Sequence, residues 1–168
     1  MYIKRMIKKY RYHLLLVFLG LTWISLFDFI TQMSSQGIMH SDSFSYHEAA
    51  KSMYVFCSGN IYRPILMSAI TGFPYFFGFS DNDVFSFSFY VNLLSWLGTS
   101  ILLFEIFKSF LKQNIAFIVT FFTFFIVGNT AHVFHLLTET IFQFIIVLVF
   151  YLLLKYYNCL LYTSPSPR

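Results

Sequence analysis

Four apolar runs leave this chain little choice of solvent. Residues 14–30, 84–107, 115–134 and 141–154 are dominated by Leu, Ile, Val and Phe and carry almost no charge. A bilayer core is crossed by about 20 such residues, within a range of about 17–25. Backbone placed in lipid must satisfy its own N–H and C=O groups, which confines long runs of this kind to α-helices. Charged residues make up 11% of the chain and hydrophobic ones 58%, whereas a soluble domain is about 25% charged. A soluble globular domain and a disordered chain are both excluded. The sequence predicts an all-α polytopic membrane protein with about four transmembrane helices, plus juxtamembrane amphipathic helices in the first extracytoplasmic loop.

Charge placement orients these helices. The net charge is +4, but Lys4, Arg5, Lys8, Lys9 and Arg11 all precede the first run. Such clustering argues against nucleic acid as a partner and for a signal anchor whose N-terminus stays in the cytoplasm. No small-x-small cleavage site follows the run, so removal as a signal peptide is not expected. Segment 64–79 is ambiguous, since it opens on Pro64 and is interrupted by Gly72 and Pro74. That composition suits a segment lying on or dipping into the membrane. If it does not cross, Lys108, Lys112 and Lys155 fall on the cytoplasmic side, in line with the positive-inside bias. If it crosses, all three lie outside. The four-span arrangement is preferred and the five-span one kept as an alternative. With four spans in the cytoplasmic (inner) membrane, residues 31–83 form one outer loop, and Asp42 and Glu139 share a face.

The last ten residues, CLLYTSPSPR, match a translated transposase-type sequencing adapter and are expected not to be biological. The expected organisation is one membrane unit over residues 1–158, the N-terminal part of a longer protein, with residues 159–168 foreign. A genuine polar tail is the alternative. Removing Cys159 leaves Cys57 alone and excludes an intrachain disulfide.

Within the outer loop, residues 41–57 read as an amphipathic helix. Ser45 and Glu48 have capping-box spacing. Tyr46, Ala50, Met53 and Cys57 recur along one face, and His47, Glu48, Lys51 and Ser52 along the other. Such a helix lies in the membrane interface, apolar side down. Asp42 stands at its start, where free N–H groups favour a carboxylate.

The arrangement Asp42-Ser-Phe-Ser-Tyr46-x-x-Ala49-Ala50, then Tyr62-Arg63-Pro64, then Leu137-Thr138-Glu139 before a Phe-rich run resembles the N-terminal portion of GT-C membrane glycosyltransferases. The pattern is similar to the dolichyl- or polyprenyl-phosphate-sugar-dependent group that includes protein mannosyltransferases and lipid A aminoarabinose transferases. The resemblance covers residues 1–158 in organisation but rests on few residues. It implies a polyprenyl-phosphate-linked sugar as donor, a lipid or protein as acceptor, and membrane lipids as surroundings. By the same resemblance Asp42 is the catalytic carboxylate and Arg63 the phosphate contact, with Tyr46, Glu139 and His135 completing the substrate-binding set. The chemistry is sensible, because inverting transfer needs a base to take the acceptor hydroxyl proton, and guanidinium pairs with phosphate through parallel hydrogen bonds. Two positions depart from the pattern. Ser43 stands where many relatives carry a second acid, which weakens a metal or dyad mechanism, and Ile65 replaces a second proline. Asp42 as an ordinary helix-start residue and Arg63 as a snorkelling anchor are the plainer alternatives.

Other polar residues carry weaker signals. His132, His135 and Glu139 have i, i+3, i+7 spacing, and with His40, Asp42 and His47 on the same side a divalent metal site is conceivable. Interfacial polar residues at a span end are the competing reading, and a divalent metal is the one cofactor the sequence suggests. Asp81-Asn82-Asp83 resembles the Asp-x-Asp of nucleotide-sugar transferases but directly precedes a span, where capping is the better reading. Asp28 and Glu105 fall near span ends, within reach of the headgroups. Ser95, Gly98 and Thr99 read as helix-packing positions. From a different functional class, a polytopic membrane transporter or lipid flippase subunit is the alternative. It would put ionisable residues near the midplane, whereas Asp42, Arg63 and Glu139 map to one interface.

Overall fold

In the computed structural model, which describes residues 2–33, 41–58 and 63–163, every regular element is helical. In chain order these are α1 (Tyr2–Thr31), α2 (Ser41–Tyr54), α3 (Ile65–Thr71), a 3-10 turn (Phe73–Phe77), α4 (Asp81–Phe110), α5 (Gln113–Phe124), α6 (Val127–Phe134) and α7 (Glu139–Thr163). His40 and Tyr62 lie outside the described residues. Three stretches, Tyr10–Thr31, Asp81–Phe110 and Glu139–Tyr157, are long and apolar enough to cross a membrane. A fourth arises if α5 and α6, bent by 63° at their junction, form one broken span. Helices long and apolar enough to serve as the expected spans are thus present, except that the third is bent rather than straight. Helix α7 continues through Thr163 into the segment read as adapter, whose first residues are apolar enough to extend a helix whatever their origin.

Segment 64–79 does not form a straight span. Helix α3 has only 7 residues, about 10 Å at 1.5 Å per residue, against a hydrocarbon core of about 30 Å. It stops at Gly72, whose N–H bonds back to Ser68 O. Pro74 cannot donate to a continuing helix, and the 3-10 turn ends at Gly78 with φ 78°, a left-handed conformation open to glycine.

Lipid tails are as apolar as leucine, so association of such helices rests on close packing and hydrogen bonds. Helix α4 is the centre of that packing and touches α1, α3, the 3-10 turn, α5, α6 and α7. Trp96 and Leu97 of α4 are buried with Ile24 and Phe27 of α1, Phe124 of α5, and Val133 and Phe134 of α6. The Trp96 and Phe124 rings lie 4.8 Å apart, and Trp23 Nε1 donates to Thr130 Oγ1 at 2.8 Å, joining α1 to α6. Two glycines permit the closest approaches. A Cβ on Gly20 would stand 2.6 Å from Leu97, and one on Gly98 would stand 2.7 Å from the Phe144 ring. Thr99 is fully buried and bonds to Ser95 O at 2.7 Å, so the stretch expected to pack helices does so.

The bundle has two unlike ends. At one, His13 bonds Glu105 at 2.7 Å, Lys108 also pairs with Glu105, and Tyr12 bonds Asn114, above a core of Leu16, Phe104 and Ala116. Glu105 is therefore held by His13 of α1 and by Lys108 of its own helix. At the other end α2, α3 and the 3-10 turn pack on the start of α4 and on the corner between α6 and α7, where Tyr46, Met67, Leu136, Leu137 and Ile141 form one buried cluster.

Replacing Gly98 by valine forces the Phe144 ring away from α4. We expect a loss of about 1–3 kcal/mol, typical of overpacking, read as a lower melting temperature of the purified protein in detergent.

Candidate functional site in the first loop

Helix α2 buries a stripe one helical repeat wide. Ser43, Tyr46, His47 and Ala50 are all buried, following the i, i+3, i+4, i+7 rule for one helix face. This corrects the expected division of faces. His47 belongs to the inner stripe, Met53 is 40% exposed, and Cys57 lies beyond the helix end, exposed with φ 51°. The Ser45 and Glu48 capping box is not formed. The helix already begins at Ser41, so Ser45 sits inside it and donates to Asp42 O at 2.8 Å.

Asp42 occupies the first turn of α2, where the dipole favours an acid. Arg63, just before α3, donates from Nη2 to Asp42 Oδ1 at 2.5 Å. Its guanidinium carbon also lies 5.2 Å from the centre of the Tyr46 ring. Asp42 and Tyr46 are one turn apart, so a single arginine engages both, through a charge-assisted bond and through the ring face. The pair is partly exposed, at 31% for Arg63 and 47% for Asp42. A guanidinium carries five N–H donors, so a single bond to Asp42 leaves it able to serve a second anion. Tyr46 in turn rests on Leu136, Leu137 and Ile141, which places Asp42 and Arg63 beside the α6 and α7 corner.

Behind this pair runs a second network. Lys51 Nζ donates to Asp81 Oδ2 at 2.6 Å, Tyr75 Oη donates to Asp81 Oδ1 at 2.8 Å, and Tyr75 Oη lies 2.7 Å from His47 Nε2. The one hydroxyl proton of Tyr75 goes to Asp81, so His47 must donate from Nε2. The His47 ring stacks on Phe85 at 4.6 Å. Burial lowers the His47 pKa from its ordinary 6.5, and Lys51 adds to this, while Asp81 and Glu48 pull the other way. Burial and the bond to Asp81 hold the Tyr75 hydroxyl well above its ordinary range. Three elements are thereby joined: α2, the 3-10 turn and the first turn of α4.

Asp83 caps α4 as expected, accepting from Ser80 N at 2.9 Å and from Ser80 Oγ at 2.6 Å. Asp81 does more than cap, and its partner Lys51 stands thirty residues earlier, a separation that local patterning does not register.

The expected face of His132, His135 and Glu139 is not present. His132 lies in α6, His135 ends that helix with extended backbone at φ −101° and ψ 143°, and Glu139 opens α7. The break turns an i, i+3, i+7 spacing into positions on two separate helices. Asn92 Nδ2 secures the corner by donating to His135 O at 2.7 Å. Glu139 is exposed and joins no ion pair among the described residues. Among those residues no three His, Cys, Asp or Glu side chains are grouped to hold a metal ion. The structure thus brings Asp42, Arg63 and Tyr46 into contact and sets His135 and Glu139 at the same end. Comparison with protein-family models, with curated proteins and with solved structures finds no match.

The depressed His47 pKa has a definite sign. The unfolded chain takes up a proton near pH 6.5 and the folded one only at lower pH, so stability falls as pH drops below 6.5 until the folded value is passed. Melting temperatures between pH 7.5 and 5 are expected to fall in the wild type and to fall less in His47→Gln, which keeps a donor but does not titrate.

Proposed function

We propose that the chain is part of an integral-membrane glycosyltransferase that takes a sugar from a polyprenyl-phosphate donor and transfers it at the outer face of the cytoplasmic membrane. The contact of Arg63 with both Asp42 and Tyr46 carries this reading. It puts a carboxylate, a guanidinium and an aromatic face together at one end of a bundle of apolar helices. With the basic N-terminus in the cytoplasm and four spans, that end faces outward. Asp42 takes the proton of the acceptor hydroxyl while its oxygen forms a bond to the anomeric carbon. The bond from that carbon to the phosphate oxygen breaks, and polyprenyl phosphate leaves with the electron pair. Arg63 donates to the phosphate as its charge grows. Tyr46 carries the guanidinium on its ring, and Glu139 and His135 shape the far side of the pocket. The acceptor is a lipid or protein hydroxyl.

A second reading, a transporter or lipid flippase subunit, is favoured by a different observation. Asn92 Oδ1 and Trp96 Nε1, one turn apart inside α4, are buried without hydrogen-bond partners among the described residues, and α5 and α6 are bent by 63° beside them. Broken helices and polar groups at mid-depth are features of transport sites.

Membranes carrying the full-length protein of which this chain is part, supplied with radiolabelled polyprenyl-phosphate sugars, distinguish the two. Loss of a general base costs about 10²–10⁴-fold in rate, so Asp42→Asn is expected to abolish detectable transfer. Arg63→Ala is expected to weaken donor use by about 10–100-fold, the value of a charged hydrogen bond. Equal transfer by wild type and Asp42→Asn would remove Asp42 from the mechanism.

A further inference from the structure

We infer that the 3-10 turn is a membrane wedge: the phenyl rings of Phe73, Phe76, Phe77 and Phe79 enter the acyl-chain boundary of the outer leaflet and fix the depth of the first loop. This goes beyond the proposed chemistry but rests on the reading of α1, α4 and α7 as membrane spans.

The turn has two opposite faces. Pro74 and Tyr75 are buried, and Tyr75 is tied to His47 and Asp81. The four phenyls point the other way, with exposures of 48%, 72%, 62% and 54% in chain order. Phe73, Phe76 and Phe77 form a continuous aromatic edge, and Phe79 follows just past Gly78. The ring of Phe77 meets those of Phe73 at 5.2 Å and Phe76 at 5.4 Å, both edge to face. Ile65 and Leu66 of α3, also exposed, extend the apolar character of the segment.

Chain continuity identifies what covers this edge. The candidate span Asp81–Phe110 begins immediately after Phe79 and Ser80, so the turn stands at the level where that span leaves the hydrocarbon. No Asp, Glu, Lys or Arg occurs between Arg63 and Asp81, which leaves nothing in the segment that must remain in water. A phenyl ring, lacking the polar tip of Tyr or Trp, is suited to the acyl side of the interface. Because Tyr75 grips α2 through His47, the depth of the wedge also sets the depth of Asp42, which α2 carries.

The test places an environment-sensitive fluorophore on single cysteines in a Cys57→Ser, Cys159→Ser background, reconstituted in phosphatidylcholine and phosphatidylglycerol vesicles. Labels go on Phe76→Cys and, in case that variant folds poorly, on Phe77→Cys. Glu48→Cys on α2 serves as the water-facing reference and Val149→Cys on α7 as the span marker. At 76 and 77 we expect a blue shift, loss of emission when lipid carries a doxyl group high on the acyl chain, and no loss with aqueous iodide. Glu48→Cys should show the reverse. Iodide quenching at 76 and 77 without doxyl quenching would overturn the wedge. Protection from both quenchers would overturn it too, because protein, either a second copy or another segment, would then cover the edge. If Val149→Cys, midway along its span, escapes quenching by doxyl groups placed both high and low on the acyl chain, the membrane reading itself fails; if Val149→Cys is quenched by the deeper group while 76 and 77 are not quenched by the shallow one, only the wedge fails.

Discussion

The buried flank of α4 is the constraint on which the other elements depend. In lipid there is no gain from hiding one leucine behind another, so a helix keeps its neighbours only by fitting them closely or bonding them. On α4, Gly98 admits the Phe144 ring, Trp96 lies against Phe124 and Phe125, and Asn92 holds the His135 carbonyl. The first turn of the same helix supplies Asp81 to Lys51 and Tyr75. One helix therefore sets the bundle, the corner between α6 and α7, and the seat of the first loop. The candidate site has its geometry because α2 is held both by the first turn of α4 and by the corner between α6 and α7, which Asn92 of α4 secures.

That arrangement separates two kinds of polar chemistry. The His47, Tyr75, Asp81 and Lys51 chain is internally satisfied, and it joins α2 to the 3-10 turn and α4. The Asp42 and Arg63 pair is about as exposed as the Lys51 and Asp81 end of that chain, and it stands on a helix that the buried His47 and Tyr75 hold in place. A satisfied network rigidifies, and a site built on a rigid element keeps its geometry better than one on a free loop. The buried His47 and Tyr75 thus supply the support, and the partly exposed Asp42 and Arg63 are the groups proposed to meet a ligand.

Hydropathy made the spans legible, because length and the absence of charge are properties of the sequence that lipid reads directly. Pro64, Gly72 and Pro74 likewise announced that segment 64–79 would not run straight. The break between α5 and α6 was not legible, since Phe124, Phe125, Ile126 and Val127 are all apolar and hydropathy is blind to direction. The same break dissolved the expected face of His132, His135 and Glu139, which assumed one continuous helix. His47 was assigned outward on polarity alone, whereas its partner Tyr75, twenty-eight residues on, makes it a buried group. Asp42 and Arg63 were both visible as candidates, but their contact depends on how α2 meets the start of α3, which no local pattern encodes.

The central claim is that the first loop and the α6 and α7 corner share one side of the membrane, opposite the α4 and α5 connection. Labelling with a membrane-impermeant maleimide in right-side-out vesicles tests this, using Glu139→Cys and Asn114→Cys in a background without Cys57 and Cys159. The account predicts that position 139 is labelled from outside and position 114 only after the vesicles are opened. Labelling of 139 only from the cytoplasmic side, or of both positions from the same side, would contradict it.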